Sequence, residues 1–344
     1  MSVVIIKYIL FPSLLCCAKG YPVMQRSQAR PVFAEHDSSL LERIPAVMQY
    51  VTPETQIAHI YRDTSGADEG FQNVEWQGYE VWIQNGRLQR PTLEKQAFAL
   101  YQNVLPDNSI DFKDSKDVKE RYYPLCEALL KNITGCSVVA AFDHNVRISG
   151  SNAEKLANGK GATVQQPLGV VHGDYTAVSA PRRLLGLASK SASSNDVRDE
   201  GAVLEESLVE SAVSTKSRRY AIINIWRNID RDNPVETNPL ACIDAQTVFS
   251  EDWRTLHIHY KDRVGENILP CFSESHRWVY FPQMTHDEVL ILKQWDSAGG
   301  LAQSKPDMEK VCSTCCLHSA FLEPKGLADK TPRQSIEVRC VCIW

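Results

Sequence analysis

The chain has 344 residues, 43% of them hydrophobic and 23% charged, a composition typical of a globular protein. This length is enough for one large domain or two ordinary ones. The net charge is −5 at pH 7, and Lys and Arg form only short pairs such as Arg182-Arg183. Because phosphate binding requires a concentrated basic face, these features argue against nucleic acid as the main partner and favour a small molecule, such as a substrate, or a protein.

Residues 1–45 are expected to form an N-terminal extension that is signal-like or disordered. Its apolar run resembles a signal peptide, but Lys7 interrupts the run. The run is too short to span a bilayer, so no stable membrane association is expected. The cysteines are scattered along the chain, which favours a reducing compartment. A cytoplasmic location is therefore predicted, with the secretory pathway as the alternative if residues 1–20 act as a signal peptide.

From residue 46 to residue 344 the patterning predicts a single domain. Strands are predicted for AVMQYV, YEVWIQNGR, CSVVAAFDHNVRIS, YAIINIWRNI, TLHIHY, HRWVYFP and SIEVRCVCIW. Helices are predicted for TLEKQAFALYQN, DVKERYYPLCEALLKNITG, AVLEESLVESAV and THDEVLILKQWDSA. The serine-rich segment 188–201 is predicted to be a flexible loop.

Helices predominate early in the chain and strands later, with irregular loops between them. This order favours a mainly β fold with flanking helices, either an antiparallel sandwich or a jelly roll, over a βαβ alternation. The sequence contains neither G-x-G-x-x-G nor G-x-x-x-x-G-K-[ST]. A nucleotide-binding or Rossmann-type methyltransferase fold would therefore lack its usual cofactor loop.

A histidine and an aspartate stand two residues apart in VVHGDYTA. Alternate residues of a strand point to the same face, so His172 and Asp174 can bind one side of a metal ion. A histidine from a distant strand would complete the facial triad typical of non-haem Fe(II) oxygenases. The glycine between the two, Gly173, fits a close approach to the metal or co-substrate. The candidates for the third ligand are His257, His259, His276, His286 and His318.

His318 is distinguished by its apolar surroundings in CCLHSAF, where an imidazole needs a partner. It is followed by Arg333 and Arg339, and Arg339 is flanked by apolar residues that leave it in need of an anion. Arg227, in NIWRNI, can also point into a pocket. The order His-x-Asp, distant His, then Arg on the final strand is more specific than its first element alone.

The C-terminal cysteines offer an alternative metal site. Cys312, Cys315 and Cys316 form a C-x-x-C-C run, but no second pair stands at zinc-ribbon spacing. A zinc-cluster interaction module is therefore kept as an alternative, and small buried cysteines on strands are preferred.

Four stretches resemble the fungal hydroxylase/desaturase family, which includes gibberellin desaturase and tailoring enzymes of mycotoxin pathways. They are VHGDYT…SAPRRL, RRYAIINIWRNI…NPLACIDAQTV, SESHRWVYFPQMTHDEVLILKQWDS and LHSAF…PRQSIEVR. The resemblance extends from about residue 46 to residue 344 and is densest after residue 170. Some relatives carry a methyltransferase label, so a methyltransferase-like or non-catalytic binding protein is the alternative.

The resemblance implies an Fe(II)- and 2-oxoglutarate-dependent oxygenase with a double-stranded β-helix core. Its metal motif falls on His172, Asp174 and His318, and dioxygen is the second co-substrate. The 2-oxoglutarate carboxylate would be bound by Arg339, with Arg333 or Arg227 as alternatives, since the segment LEPKGLADKTP lengthens the interval after His318. The resemblance further implies hydroxylation or desaturation of a small natural product in secondary metabolism. It identifies neither the substrate nor the oligomeric state.

Overall fold

The computed structural model describes residues 30–31, 42–62, 68–149, 164–189, 202–260, 263–303, 311–322 and 330–344. The strands are β1 (Arg30–Pro31), β2 (Arg43–Val51), β3 (Ile57–Arg62), β4 (Asp68–Gln72), β5 (Trp76–Asn85), β6 (Phe98–Gln102), β7 (Val138–Ile148), β8 (Val164–Gln165), β9 (Tyr220–Asn228), β10 (Leu240–Ile243), β11 (Trp253–His259), β12 (Val264–Pro270), β13 (Trp278–Tyr280), β14 (Glu288–Asp296), β15 (His318–Ala320) and β16 (Gln334–Ile343). The α-helices are α1 (Ser115–Asp117), α2 (Tyr123–Thr134), α3 (Ser179–Ala188) and α4 (Glu206–Val209). Two π-helical segments, Val118–Tyr122 and Glu210–Ser214, extend α1 into α2 and continue α4.

The strands form three sheets. The seven-stranded sheet has the order β1-β6-β14-β9-β16-β7-β8, the five-stranded sheet β15-β10-β13-β5-β2 and the four-stranded sheet β12-β11-β3-β4. The segment that contains His172 joins two of them, because His172 pairs with His318 of β15 and Gly173 pairs with Ile268 of β12. This segment therefore closes a gap between the five-stranded and four-stranded sheets.

The seven-stranded and five-stranded sheets face each other across an apolar core. Trp226, Leu290 and Leu292 of the larger sheet pack with Cys242 and Val279 of the smaller one. Face-to-face packing of this kind is typical of a jelly roll. The predicted mainly β fold with a double-stranded β-helix core is confirmed.

Helix α2 covers the opposite face of the seven-stranded sheet. Its buried residues Cys126 and Leu130 pack with Ile223, Ile225 and Val338. The helix ends where it was predicted to end, because Gly135 adopts the left-handed conformation, with φ of 67°, and its N–H bonds the carbonyl of Lys131.

Two predicted helices are wrong. In the segment TLEKQAFALYQN, the chain forms strand β6, and in THDEVLILKQWDSA it forms strand β14. All nine residues of β14 are buried, since it lies between β6 and β9 and is covered on both faces. A strand buried on both faces loses the alternation of polar and apolar residues that identifies strands, and an apolar run then resembles a buried helix.

The predicted domain limits fall partly outside the described residues. Most of the predicted extension 1–45 and residues 190–201 of the predicted loop 188–201 are not described. Strand β2 begins at Arg43, before the predicted domain start at residue 46. Over the ranges that the structure describes, no helix is long and apolar enough to cross a membrane.

Candidate metal centre

The structure brings three of the predicted ligands together. One ligand atom each from His172, Asp174 and His318 lies within 4.8 Å of the other two. Nε2 of His172 is 3.6 Å from Oδ1 of Asp174, and the two imidazole rings are 4.4 Å apart. Both histidines are buried. The other candidates for the third ligand lie elsewhere, as described below.

Backbone carbonyls fix the orientation of both imidazoles. Nδ1 of His172 is 2.9 Å from the carbonyl oxygen of Val170, and Nδ1 of His318 is 3.1 Å from that of Cys316. A carbonyl can only accept, so each Nδ1 carries the proton and each Nε2 keeps its lone pair. The lone pairs then face the centre of the triad, the arrangement that a metal-binding histidine requires.

Asp174 is held by side chains from the seven-stranded sheet. The amide of Asn224, on β9, donates to Oδ2 at 3.0 Å, and Nε of Arg339, on β16, lies 3.8 Å from the same oxygen. The backbone N–H of Asp174 donates to Oε1 of Gln294, on β14, at 3.4 Å. These contacts leave Oδ1 facing His172.

The surroundings keep His172 and Asp174 in the protonation states that bind a cation. Burial lowers the pKa of His172 to about 3, with a further contribution from His318. Burial alone would raise the pKa of Asp174, but Arg339 and the two histidines outweigh it and hold this pKa at about 2. At neutral pH, Asp174 is therefore a carboxylate and His172 a neutral imidazole.

This donor set fits Fe(II). Two imidazole nitrogens and one carboxylate on one side of an ion form the facial triad of non-haem iron oxygenases, which leaves coordination positions open for co-substrates. Two buried amide atoms beside Asp174, Oδ1 of Asn224 and Nε2 of Gln294, have no hydrogen-bond partner among the described residues. Buried polar groups are rarely left unpaired, so these atoms indicate that a polar ligand belongs here.

Gly173 is needed for packing on the other face of the strand. A Cβ at this position would lie 2.9 Å from Cδ2 of Leu317 and 3.5 Å from Cβ of Ile268. Because Gly173 alternates with His172 and Asp174, this contact is on the side away from the triad. The sequence argument that Gly173 permits close approach to the metal is therefore wrong.

Arg339, the first choice for binding 2-oxoglutarate, is already neutralised by acidic side chains. Nη1 lies 2.9 Å from Oδ2 of Asp143 and Nη2 lies 3.1 Å from Oε1 of Glu337, in addition to the contact with Asp174. Burial would lower the pKa of Arg339, but these three carboxylates raise it well above its ordinary value. Its guanidinium positions Asp174. The acidic side chains in contact with it would repel the dianion of 2-oxoglutarate.

Arg333 lies in the opposite electrostatic situation. It is buried, and among the described residues no carboxylate forms an ion pair with it. Nη1 donates to the carbonyl of Asn238 at 2.5 Å, whereas Nε has no hydrogen-bond partner in the described chain. Burial, with a contribution from Arg147, lowers its pKa to about 9 although the charge of Glu337 acts to raise it, so the side chain is a cation at neutral pH with no carboxylate of the described residues in ion-pair contact.

Arg333 faces the same interior as the triad. Its guanidinium lies 5.6 Å from the centre of the Trp226 ring. Trp226 is two residues after Asn224 on β9 and therefore points to the face from which Asn224 reaches Asp174. Arg147 acts electrostatically on both Arg333 and His172, which also places the two near each other.

Arg227 lies apart from the triad, so the prediction that it binds the co-substrate is not supported by its position. On β9 its side chain points to the face opposite that of Asn224. Its Nε donates to the hydroxyl of Tyr122, beside α2, at 2.9 Å. Nη1 bonds the carbonyls of Asn103 and His286, and Nη2 bonds the side chain of Asn103. Arg227 therefore connects the sheet to the segments that cover its outer face.

Replacing Arg227 by methionine should destabilise the fold without affecting the site. The change removes a fully buried cation with several hydrogen bonds, and it takes away the guanidinium donor of Asn103 and Tyr122. We expect the free energy of unfolding to fall by about 3 kcal/mol. Chemical denaturation measures this loss, and the apparent affinity for 2-oxoglutarate should not change. A normal stability combined with weaker 2-oxoglutarate binding would contradict the assignment.

The remaining candidate histidines occupy other places. Nδ1 of His276 is 3.1 Å from the Tyr50 hydroxyl, and Nδ1 of His286 is 3.1 Å from the carbonyl of Asn228. Both are buried structural residues. His257 and His259 lie on β11 in a separate group with His59.

The cysteine alternative has no support in the described chain. The described residues that could hold a metal ion fall into two groups, and neither contains a cysteine. Cys315 is buried, which raises the pKa of its thiol to about 12 and disfavours the thiolate that zinc requires. Cys315 and Cys316 are core residues, as the preferred interpretation predicted.

Sequence reasoning did not find the residues that support the triad. Asn224 holds Asp174, and Asp143 with Glu337 holds Arg339. The only signal in the sequence was polarity in otherwise apolar strands, as in YAIINIWRN and SIEVRCVC. The partners of these polar residues depend on strand pairing.

Known proteins resemble this chain over most of its length. A family model described as "YDMC: Oxidoreductase/YMDC permease-like domain" matches residues 48–343. The hydroxylase/desaturase efuI of Hormonema carpetanum is 30% identical over 270 residues, which cover 74% of this chain and 79% of the relative. The chain belongs to this oxidoreductase family, and its likeness to efuI shows that it also belongs to the hydroxylase/desaturase family. The predicted family is thus confirmed.

Two further comparisons cover nearly the whole chain. The Fe(II)/2-oxoglutarate-dependent dioxygenase nvfI of Aspergillus novofumigatus is 28% identical over 306 residues, which cover 86% of this chain and 94% of the relative. A solved structure of the "iron and alpha-ketoglutarate-dependent endoperoxidase NvfI with different conformation" matches with a TM-score of 0.69 at 23% identity. It covers 89% of this chain and 99% of that chain, which supports the fold.

Proposed function

We propose that this protein is an Fe(II)- and 2-oxoglutarate-dependent oxygenase that hydroxylates or desaturates a small natural product. The observation that carries the proposal is the triad of His172, Asp174 and His318, in which both Nε2 lone pairs and one carboxylate oxygen converge. The relatives named as dioxygenase and hydroxylase/desaturase support the same chemistry. The described residues offer no observation that favours a methyltransferase or a non-catalytic binding protein.

In this proposal the triad would hold Fe(II), which supplies dioxygen activation coupled to oxidation of 2-oxoglutarate to succinate and carbon dioxide. In hydroxylation, one oxygen atom of dioxygen would enter succinate and the other would be inserted into a C–H bond of the substrate to give a hydroxyl group. The protein contributes geometry: the carbonyls of Val170 and Cys316 hold the imidazoles, and Asn224 holds the aspartate. Fixed ligands preserve the open side of the site for the reactants.

We assign the distal carboxylate of 2-oxoglutarate to Arg333 rather than Arg339. Arg333 is a buried cation whose Nε has no hydrogen-bond partner among the described residues and which forms no ion pair with them. Glu337 acts on it electrostatically but is in contact with Arg339, which contacts three carboxylates. A bidentate bond to a carboxylate would neutralise Arg333 and pair its free donor. The nearby amides of Asn224 and Gln294 would remain for the ligand's polar atoms beside Asp174.

The apolar interior is suited to excluding bulk water from this reaction. Trp226, Cys242, Leu292 and Cys316 lie in the core between the two facing sheets. Trp226 is two residues from Asn224, and Cys316 is two residues from His318. A dry interior strengthens the electrostatic contacts of the triad and protects a reactive oxidant from side reactions. The substrate would therefore be a small molecule that enters between the sheets.

We propose a reducing compartment, in agreement with the predicted cytoplasmic location. None of the cysteines that the structure describes forms a disulfide. Two pairs of thiols, Cys136 with Cys342 and Cys242 with Cys316, interact by hydrogen bonds without forming a disulfide. Thiols so close together normally remain reduced only where thioredoxin or glutathione is present.

The proposed activity can be tested without knowing the substrate. Protein loaded with Fe(II) and 2-oxoglutarate under anaerobic conditions should show a visible charge-transfer band, because 2-oxoglutarate chelates the iron. On admission of air, it should form succinate slowly even without substrate. Calorimetry with S-adenosylmethionine should show no binding. Succinate at the level of a protein-free control, or clear binding of S-adenosylmethionine, would contradict the proposal.

A further inference from the structure

We propose that His59, His257 and His259 form a second metal site, which takes a divalent transition-metal ion with the ligand preferences of zinc. The three side chains lie on the four-stranded sheet, and one nitrogen of each lies within 4.8 Å of the other two. His59 is on β3 and is paired directly with His257 on the parallel strand β11. His259 follows two residues later on the same face of β11.

The imidazoles are already close to the geometry of a tetrahedral site. Nδ1 of His59 is 3.0 Å from Nε2 of His259, and the ring of His59 is 5.4 Å from that of His257. With zinc–nitrogen bonds of about 2.0–2.1 Å, two nitrogens of one tetrahedral ion are roughly 3.3 Å apart. Small side-chain rotations therefore suffice to bring the three nitrogens to a common ion.

The surroundings of the cluster favour a cation. Oε1 of Glu266, on the adjacent strand β12, lies 3.7 Å from Nε2 of His257 and supplies a negative charge. The ring of Tyr61 stacks on His259 at 4.3 Å and holds its orientation.

The cluster is accessible and can keep an open coordination position. All three histidines are half-buried, and the side chain of His257 is 28% exposed. Three imidazoles with access to water match the zinc sites in which a water or a substrate occupies the fourth position. Imidazole also binds copper and nickel, so selectivity among these ions would depend on availability.

This site is distinct from the triad of His172, Asp174 and His318. Gly173 pairs with Ile268, which lies on the same face of β12 as Glu266 and therefore on the face of the histidine cluster. His172 alternates with Gly173 and points the other way. The two sites thus use opposite faces of neighbouring strands.

A bound ion would stabilise the four-stranded sheet. It would link β3 to β11 through His59 and His259, which are 200 residues apart in the sequence. An ion that binds the folded chain and not the unfolded chain raises the midpoint temperature, and the rise grows with the ratio of the free ion concentration to the dissociation constant. Zinc binding here should therefore raise the Tm, independently of the oxygenase reaction.

The test is a titration of the full chain with zinc alone. Wild-type protein should bind two equivalents, one in each histidine site, and the variant His257→Gln with His259→Gln should bind one. The variant His172→Ala with His318→Ala should also bind one equivalent, and zinc should still raise its Tm. Thr255→Ala is the matched control, since Thr255 lies on the same face of β11 and should not change the stoichiometry.

The proposal is overturned if the change at His257 and His259 leaves both equivalents in place. It is also overturned if zinc raises the Tm of this variant as much as that of the wild type. Circular dichroism and the Tm without metal show whether each variant is folded. If the double glutamine variant fails to fold, His59→Gln provides the same comparison from the other strand.

Discussion

Replacing His318 by alanine should abolish iron-dependent formation of succinate. The change removes one of the three converging ligands. The methyl group that remains has no lone pair with which to bind a metal ion. Changing a residue that only holds a metal ligand in place costs about 10–100-fold in metal affinity. Loss of the ligand itself should therefore lower iron affinity by about a thousandfold or more. The measurements are the iron content of anaerobically reconstituted protein and the rate of succinate formation.

Two comparisons separate loss of the ligand from loss of the fold. Ser319→Ala changes the next residue of β15, whose hydroxyl bonds only the carbonyl of Ala320, and should keep both iron and activity. Asn224→Ala removes the hydrogen bond to Asp174 and should weaken iron binding by about 10–100-fold. Undiminished succinate formation by folded His318→Ala protein would contradict the proposed triad.

The order of these residues along the chain made the triad predictable, while its supporting contacts were not. His172 and Asp174 share a face because alternation along an extended segment is local, and His318 was distinguished by its apolar neighbours. The acidic partners of Arg339 depend on strand register: Asp143 on β7 lies opposite Arg339 on β16. Sequence alone recognised that Arg339 needed an anion, but it could not show that Asp143 was that anion.

The same limit explains where the fold was predicted incorrectly. Most half-buried strands, such as β2 with its alternating burial, were identified from their pattern. Strand β14 was not identified, because the structure buries both of its faces. Even its charged residues Lys293 and Asp296 are buried, and they form an ion pair of 2.9 Å with each other. The cluster of His59 with His257 was missed for a related reason. Those residues meet only through the parallel pairing of β3 with β11.

Replacing Arg333 by methionine should raise the concentration of 2-oxoglutarate needed for half-maximal turnover by about a hundredfold or more, if the carboxylate binds there. Hydrogen bonds to charged groups contribute about 1.5–3 kcal/mol each, and every 1.4 kcal/mol is about tenfold in affinity. Arg333→Lys should recover only part of this loss, because an ammonium cannot form the planar bidentate pair.

Arg339→Met is the matched comparison and should behave differently. It releases Asp174, Asp143 and Glu337 from their common partner, so it should weaken iron binding, while at saturating iron the requirement for 2-oxoglutarate stays close to that of the wild type. A 2-oxo acid that lacks the distal carboxylate, such as 2-oxovalerate, tests directly which arginine binds that carboxylate. Wild type should discriminate strongly against it, Arg339→Met should keep that discrimination, and Arg333→Met should lose it. If Arg339→Met loses the discrimination and Arg333→Met keeps it, the carboxylate belongs to Arg339.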